Sequence, residues 1–294
     1  MLTREVLKKI RKIEIVTQRL VRDRMAGQYL SVFKGSGIAF SEVRQYMPGD
    51  DIRLIDWNVS ARMNEPYIKL FTEEREMTVM LLVDMSASGQ FGSVGREKRE
   101  VAAELAAVVA FSAIKNNDRV GLIIFTDEVE RFVPPKKGKK HVLRVVSEIL
   151  TYQPKSRQTD LRAGIEFLGR VARRRAVAFL ISDFLAPQVQ YEKPLKVAAR
   201  RHDLVPVTIT DPLEETLPSV GLIDLEDPET GEIVCFDTSG PEARAFAATV
   251  ARNKDTRRAL FKKLNLDGIE ARTDKPYLQA LTAFFEARAR RMRH

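Results

Sequence analysis

Residues 79–83 read Val-Met-Leu-Leu-Val, an unbroken apolar run with no alternation. A strand of this kind is buried on both faces, as in a parallel sheet covered by helices. It ends in Asp84-Met85-Ser86-Ala87-Ser88-Gly89, so one carboxylate and two hydroxyls at spacing two leave the carboxyl end of a central strand. Open α/β sheets bind their ligands at that rim. Oxygen donors without Cys or His suit a hard cation, Mg2+ first and Mn2+ or Ca2+ less specifically, and do not suit zinc.

The same rhythm continues downstream. Residues 97–115 have helical spacing, with Val101, Leu105, Val108, Val109 and Ser112 on the buried side, and 120–125 are the next apolar strand. Residues 128–133 return as a hairpin arm, 134–140 form a basic loop, and 141–150 form a helix. Thr159-Asp160-Leu161 opens a helix that reaches residue 175. Residues 176–181 are again an apolar strand, followed by Ser182 and Asp183. A helix over 192–201 leads to a strand over 204–209, which Pro206 places towards a sheet edge. This order predicts an α/β fold with a doubly wound, mostly parallel sheet. If βαβ crossovers join the strands, their carboxyl ends share one rim, where Asp84, Ser86, Ser88, Thr159 and Asp183 converge.

Upstream, residues 3–24 predict a helix with Val6, Ile10, Ile13, Val16 and Leu20 on one face and basic residues between them. Such a helix either packs on its own domain or lies on an anionic surface, and the lack of a Trp or Phe anchor favours packing. Residues 35–41 are non-periodic. The stretch that follows concentrates charge: Arg44, Tyr46, Pro48-Gly49-Asp50-Asp51, Arg53, Ile55-Asp56-Trp57. Pro48 to Asp51 is turn chemistry, with Ile55 and Trp57 as apolar anchors. Its three carboxylates either pair with Arg44 and Arg53 or form a second metal or catalytic cluster, and the arginines favour pairing. Residues 67–71 suggest an edge strand.

After Asp211 the pattern changes. Residues 221–227 and 233–237 flank a turn as a β-hairpin, with Cys235 as apolar filler in its second arm. Helices follow over 242–264 and 277–292, the second ending in arginines, with a short strand over 268–272 between them. The expected division is 1–76, a helix with the charged segment, and 77–294, the α/β domain with its hairpin insertion near 212–240.

Composition narrows the classes. The single cysteine forms no intramolecular disulfide, and no apolar run approaches the roughly 20 residues of a membrane span. With no signal-peptide core at the N-terminus, the expected location is cytoplasmic. The net charge of +9 is partly local: residues 1–24 hold eight basic and three acidic side chains. Acidic residues elsewhere argue against a dedicated nucleic-acid binder. The three histidines are scattered, and nothing pairs a nucleophile with a base, so an enzyme is not expected.

Asp84-x-Ser86-x-Ser88, then Thr159, then Asp183 resembles the metal-ion-dependent adhesion site of von Willebrand factor A domains. That resemblance implies that Ser86, Ser88 and Thr159 touch the metal, that Asp84 and Asp183 hold it partly through water, and that one position is open for a partner's carboxylate. The segment Arg44-x-Tyr46-x-Pro48-Gly49-Asp50-Asp51-x-Arg53-x-Ile55-Asp56-Trp57 resembles the signature of the bacterial domain of unknown function 58 family, over nearly the whole chain. It implies a partner role beside MoxR-type AAA+ ATPases. The membrane helices that many members carry are missing here. The leading expectation is a metal-dependent interaction module. The alternatives are a hydrolase using Asp50, Asp51 or Asp56, and an anionic-surface binder using the N-terminal helix.

Overall fold

The computed structural model describes residues 4–21, 29, 32–33, 39–72 and 76–291. The end of the expected first helix (22–24), most of the glycine segment (35–38), residues 73–75 and the last three residues lie outside these. In chain order the elements are helix α1 (Arg4–Leu20), strand β1 (Ala39–Gln45), helix α2 (Trp57–Met63), β2 (Tyr67–Thr72), β3 (Thr78–Asp84), α3 (Lys98–Lys115), β4 (Arg119–Phe125) and β5 (Val129–Lys136). Then come α4 (Lys139–Thr151), α5 (Leu161–Val171), β6 (Val177–Ser182), α6 (Gln188–Arg201) and β7 (Asp203–Thr210). The chain closes with β8 (Leu222–Glu226), β9 (Ile233–Asp237), α7 (Pro241–Lys263), β10 (Ile269–Arg272) and α8 (Tyr277–Arg291).

The chain divides into two compact units, Phe33–Met77 and the remainder, Met1–Val32 with Thr78–His294. The division after Met77 lies within one residue of the expected one, but residues 1–32 group with the α/β unit rather than with the charged segment. Helix α1 packs on α3 and α4 and so belongs with the α/β unit. It buries Ile13, Thr17 and Val21 while Val16 is exposed, so its buried stripe is rotated from the one expected.

In the α/β unit the strand order is β10-β7-β6-β3-β4-β5, parallel except for β5. The doubly wound, mostly parallel sheet is as expected. Met80 and Leu82 share a core with Leu161 and Ile165 of α5, Tyr191 and Leu195 of α6 and Phe261 of α7. Alternation sends Val79, Leu81 and Val83 to the opposite face, where α3 and α4 lie. Strand β3 adjoins β4 on one side and β6 on the other, so the winding reverses at β3, and the carboxyl ends of β3 and β6 flank the switch point.

Several expectations are corrected. The basic loop at 134–140 shrinks to two residues, because β5 continues to Lys136 and α4 begins at Lys139. Helix α5 stops at Val171 and α6 starts at Gln188. Pro206 is not on an edge strand, because β10 lies outside β7. The β10 ladder begins at Val207, one residue past the proline, so the missing N–H falls where β10 forms no pair. Cys235 is exposed rather than filler.

In the smaller unit β1 and β2 form an antiparallel pair, although part of β1 had read as non-periodic. Gly49 takes φ +107°, which only glycine adopts without strain, and closes the turn after Pro48. Trp57 is 72% exposed and is no anchor, whereas Ile55 is half-buried and bridges to Ile68.

Candidate functional site

Four of the five rim residues named from the motif meet in one hydrogen-bonded network. Asp84 ends β3, and its Oδ1 accepts the Ser86 N–H at 3.0 Å, which folds the following loop back over the strand end. Ser86 Oγ and Ser88 Oγ then lie 3.1 Å apart, both buried. From β6, Ser182 Oγ donates to Asp84 Oδ2 at 2.7 Å, and Asp183 follows it. Phe184 takes φ +55°, uncommon for a residue with a side chain, and its N–H donates to Ser182 Oγ at 3.0 Å. The chain therefore turns sharply just past Asp183.

Thr159 is on a neighbouring loop and has a different partner. The Ala87 N–H donates to the Arg157 carbonyl, and the Asp160 N–H to the Thr126 carbonyl, so the 157–160 segment is laced to the loops after both β3 and β4. Thr159 Oγ1 donates to Glu229 Oε1 at the tip of the β8–β9 hairpin, at 2.6 Å.

Sequence reasoning missed Lys98. Its side chain is only 3% exposed, and its Nζ donates to Asp183 Oδ2 at 2.7 Å and to Glu214 Oε1. One signal was available: a lysine in the first turn of a long helix opposes the helix dipole, so it needs local acidic partners. The electrostatics follow from this placement. Burial and the negative charge of Asp183 push the Asp84 carboxyl up to about 6. Burial acts on Asp183 in the same sense, but the Lys98 ammonium, with the Ser88 hydroxyl and the Leu185 N–H, outweighs it and holds Asp183 below the usual range.

The donor set fits a hard divalent cation. Two buried carboxylates and two hydroxyls close together are oxygen donors of the right kind, and Asp84 lacks the cation that Asp183 has. Among the described residues no three His, Cys, Asp or Glu side chains are grouped to hold a metal ion. A cation at this rim would therefore rely on Ser86 and Ser88 to complete its shell.

The acidic cluster of the smaller unit is used structurally. Arg44 grips Asp50 bidentately at 2.8 and 2.7 Å, and Asp50 also accepts the Met47 N–H. Asp51 accepts the Arg53 N–H, and Asp56 caps α2 through the Asn58 and Val59 N–H groups while lying 3.5 Å from Lys69. Among the described residues Arg53 forms no ion pair, so the expected network reduces to one arginine pair and two caps. Tyr46 and Pro48 border the turn, the Tyr46 N–H reaching the Pro66 carbonyl.

Carboxylates and hydroxyls on the loops after β3 and β6 thus line the switch-point rim of this α/β fold. Residues 42–257 match the family described as "Protein of unknown function DUF58", and the chain belongs to it. It is 31% identical over 283 residues to the Mycobacterium tuberculosis protein named "Uncharacterized protein Rv1480", covering 96% of this chain and 89% of that one. It is 27% identical over 161 residues to Bacillus subtilis "Uncharacterized protein YeaD", covering 55% and 38%. Among solved structures it is similar to the conserved hypothetical protein BatB from Bacteroides thetaiotaomicron, at 17% identity and TM-score 0.45 over 73% of this chain and 99% of that one. It is also similar to the SpRpn10 VWA domain, at 14% identity and TM-score 0.37 over 70% and 94%.

Proposed function

We propose that this chain is a non-enzymatic interaction module, similar to von Willebrand factor A domains, whose rim site takes a carboxylate of a partner protein through a divalent cation. The observation that carries this reading is the convergence of Asp84, Ser86, Ser88 and Asp183 at the switch point. Asp84 and Asp183 supply the charge, Ser86 and Ser88 the neutral oxygens, and Thr159 the remaining protein ligand once it leaves Glu229. A bound Mg2+, or Mn2+ or Ca2+, supplies a coordination position open to a carboxylate oxygen. The family resemblance implies a MoxR-type AAA+ ATPase as the partner, and the single cysteine and the lack of a signal-peptide core are the grounds for expecting the cytoplasm. No helix among the described residues is long and apolar enough to cross a membrane.

The pairing of Asp50 with Arg44 and the capping roles of Asp51 and Asp56 favour the interaction reading over a hydrolase that uses one of these carboxylates with the Asp84 site. The test is titration calorimetry with Mg2+ and Mn2+ on the wild type and on the Ser86→Ala/Ser88→Ala variant. Binding by the wild type and loss in a folded variant is the expected result. Equal heats in both proteins would refute the site.

A further inference from the structure

A second site lies at the other end of the same rim, between the carboxyl ends of β7 and β10. It is a cavity of about 350 Å³ whose walls come from four elements. Thr208 and Thr210 come from β7, Arg272 from β10, Lys254 and Arg257 from α7, and Lys275 and Pro276 from the segment that opens α8. The first turn of α8 also borders it, through Tyr277 and Gln279.

The charge balance of these walls is uneven. Lys254 pairs with Glu215 at 2.6 Å, and Arg272 pairs with Glu215 at 2.6 Å and with Asp274 at 2.9 Å. Glu270, the one acidic wall residue, is held bidentately by Arg258 at 2.7 and 2.6 Å. Two cations remain. Among the described residues neither Arg257 nor Lys275 has a carboxylate partner. Lys275 is exposed, but Arg257 is only 8% exposed, and among the described residues its guanidinium makes one hydrogen bond, at 3.3 Å to the Asp183 carbonyl. Glu270 and Asp183 lie near enough to attract Arg257, but neither reaches ion-pair distance, so a mostly buried guanidinium on the cavity wall keeps donors free for an anion.

We infer that this cavity is a binding site for a phosphate group, free or as a phosphate ester, held by Arg257 and Lys275 with the Thr208 and Thr210 hydroxyls and the N-terminal turn of α8. Three features favour phosphate over a carboxylate. The donors come from several elements around the cavity, as a tetrahedral ligand needs. Arginine matches phosphate oxygens bidentately. A helix N-terminus presents unpaired N–H groups and the positive end of its dipole to an anion. Arg257 touches the Asp183 carbonyl, so this site adjoins the one at Asp84 and Asp183, while Lys275 is confined to the β7–β10 end.

The test is calorimetric titration of inorganic phosphate into the full chain at constant ionic strength, with acetate and glycerol 3-phosphate as parallel ligands. The proteins are the wild type, Lys275→Ala and Arg257→Met. The expected result is saturable phosphate binding, weakened about tenfold by Lys275→Ala, the loss of one charge-assisted contact, and abolished by Arg257→Met. Lys275 is on the surface, so its variant keeps the test valid if Arg257→Met fails to fold. Tighter binding of glycerol 3-phosphate than of phosphate identifies an ester as the ligand, and equal binding identifies free phosphate. No phosphate binding to the wild type, equal binding by wild type and Lys275→Ala, or tighter binding of acetate than of phosphate would each overturn the assignment.

Discussion

Thr159 Oγ1 donates a 2.6 Å hydrogen bond to Glu229 Oε1, across 70 residues of sequence. The motif assigns Thr159 to the metal, yet here its hydroxyl meets a carboxylate of the same chain. Glu229 is presented by a tight turn in which Asp227 Oδ1 accepts the Glu229 N–H at 2.8 Å and the Gly231 N–H donates to the Asp227 carbonyl at 2.7 Å. The arms behind that turn leave Leu222, Ile233 and Val234 exposed. The base is tied by Thr238, whose Oγ1 donates to the Gly221 carbonyl and accepts the Val220 N–H. Among the described residues the contact with Thr159 ties the tip to the rim, while Phe236 packs on Phe246 nearer the base.

Replacing Glu229 with Ala is expected to loosen residues 222–237. The loss of one such bond, about 1 kcal/mol, corresponds to roughly fivefold faster amide exchange there. Exchange at β3 and β6 is expected to stay unchanged. Hydrogen exchange read by mass spectrometry checks both, and unchanged protection of the hairpin would show that the tip is held by something else.

Lys98 gives the second prediction. Its ammonium is the buried cation shared by Asp183 and Glu214, so Lys98→Met leaves two carboxylates facing each other without it. Breaking a buried pair from one side costs about 3–5 kcal/mol. Urea unfolding is expected to show that loss, and added Mg2+ is expected to recover part of it, because a cation bound at Asp84 and Asp183 replaces some of the missing charge. The same loss with and without Mg2+ would separate Lys98 from the metal site.

Much of this arrangement was legible in the sequence because β3, β4 and β6 are continuous apolar runs, and only a doubly covered parallel sheet accommodates several of them. Asp84, Ser86 and Ser88 were readable for the same reason, since a run of that kind fixes where the rim begins. Strand β1, Ala-Phe-Ser-Glu-Val-Arg-Gln, has neither a continuous apolar run nor clean alternation, and it is a strand because β2 pairs with it. Pro206 misled because the edge rule concerns a missing N–H, and the short β10 leaves that one position unpaired. Lys98 and Glu229 owe their roles to partners 85 and 70 residues away, which no local pattern encodes.

Asp211 supports the site from behind and sets the third prediction. It is fully buried and accepts the Ser93 N–H at 2.9 Å, the Thr273 hydroxyl at 2.6 Å, the Leu213 N–H at 3.0 Å and the Ser93 hydroxyl. Glu214 Oε2 completes a capping box on the Asp211 N–H, while its Oε1 takes Lys98, so Asp211 fixes the partner of the buried lysine. Burial alone would raise the Asp211 carboxyl, but the donors from Ser93, Thr273 and Leu213 outweigh it and hold it below the usual range. A group whose folded value lies below its unfolded value stabilises the protein above the unfolded value, and that stability is lost as pH falls through the folded one. Asp211→Asn is therefore expected to lower stability near neutral pH by about 1.5–3 kcal/mol, the range for hydrogen bonds to a charged group. The gap from wild type is expected to narrow as pH drops below about 4, the ordinary carboxylate value. Urea midpoints measured across that range check it, and a gap that stays constant with pH would mean that the buried oxygens of Asp211 serve as a neutral acceptor.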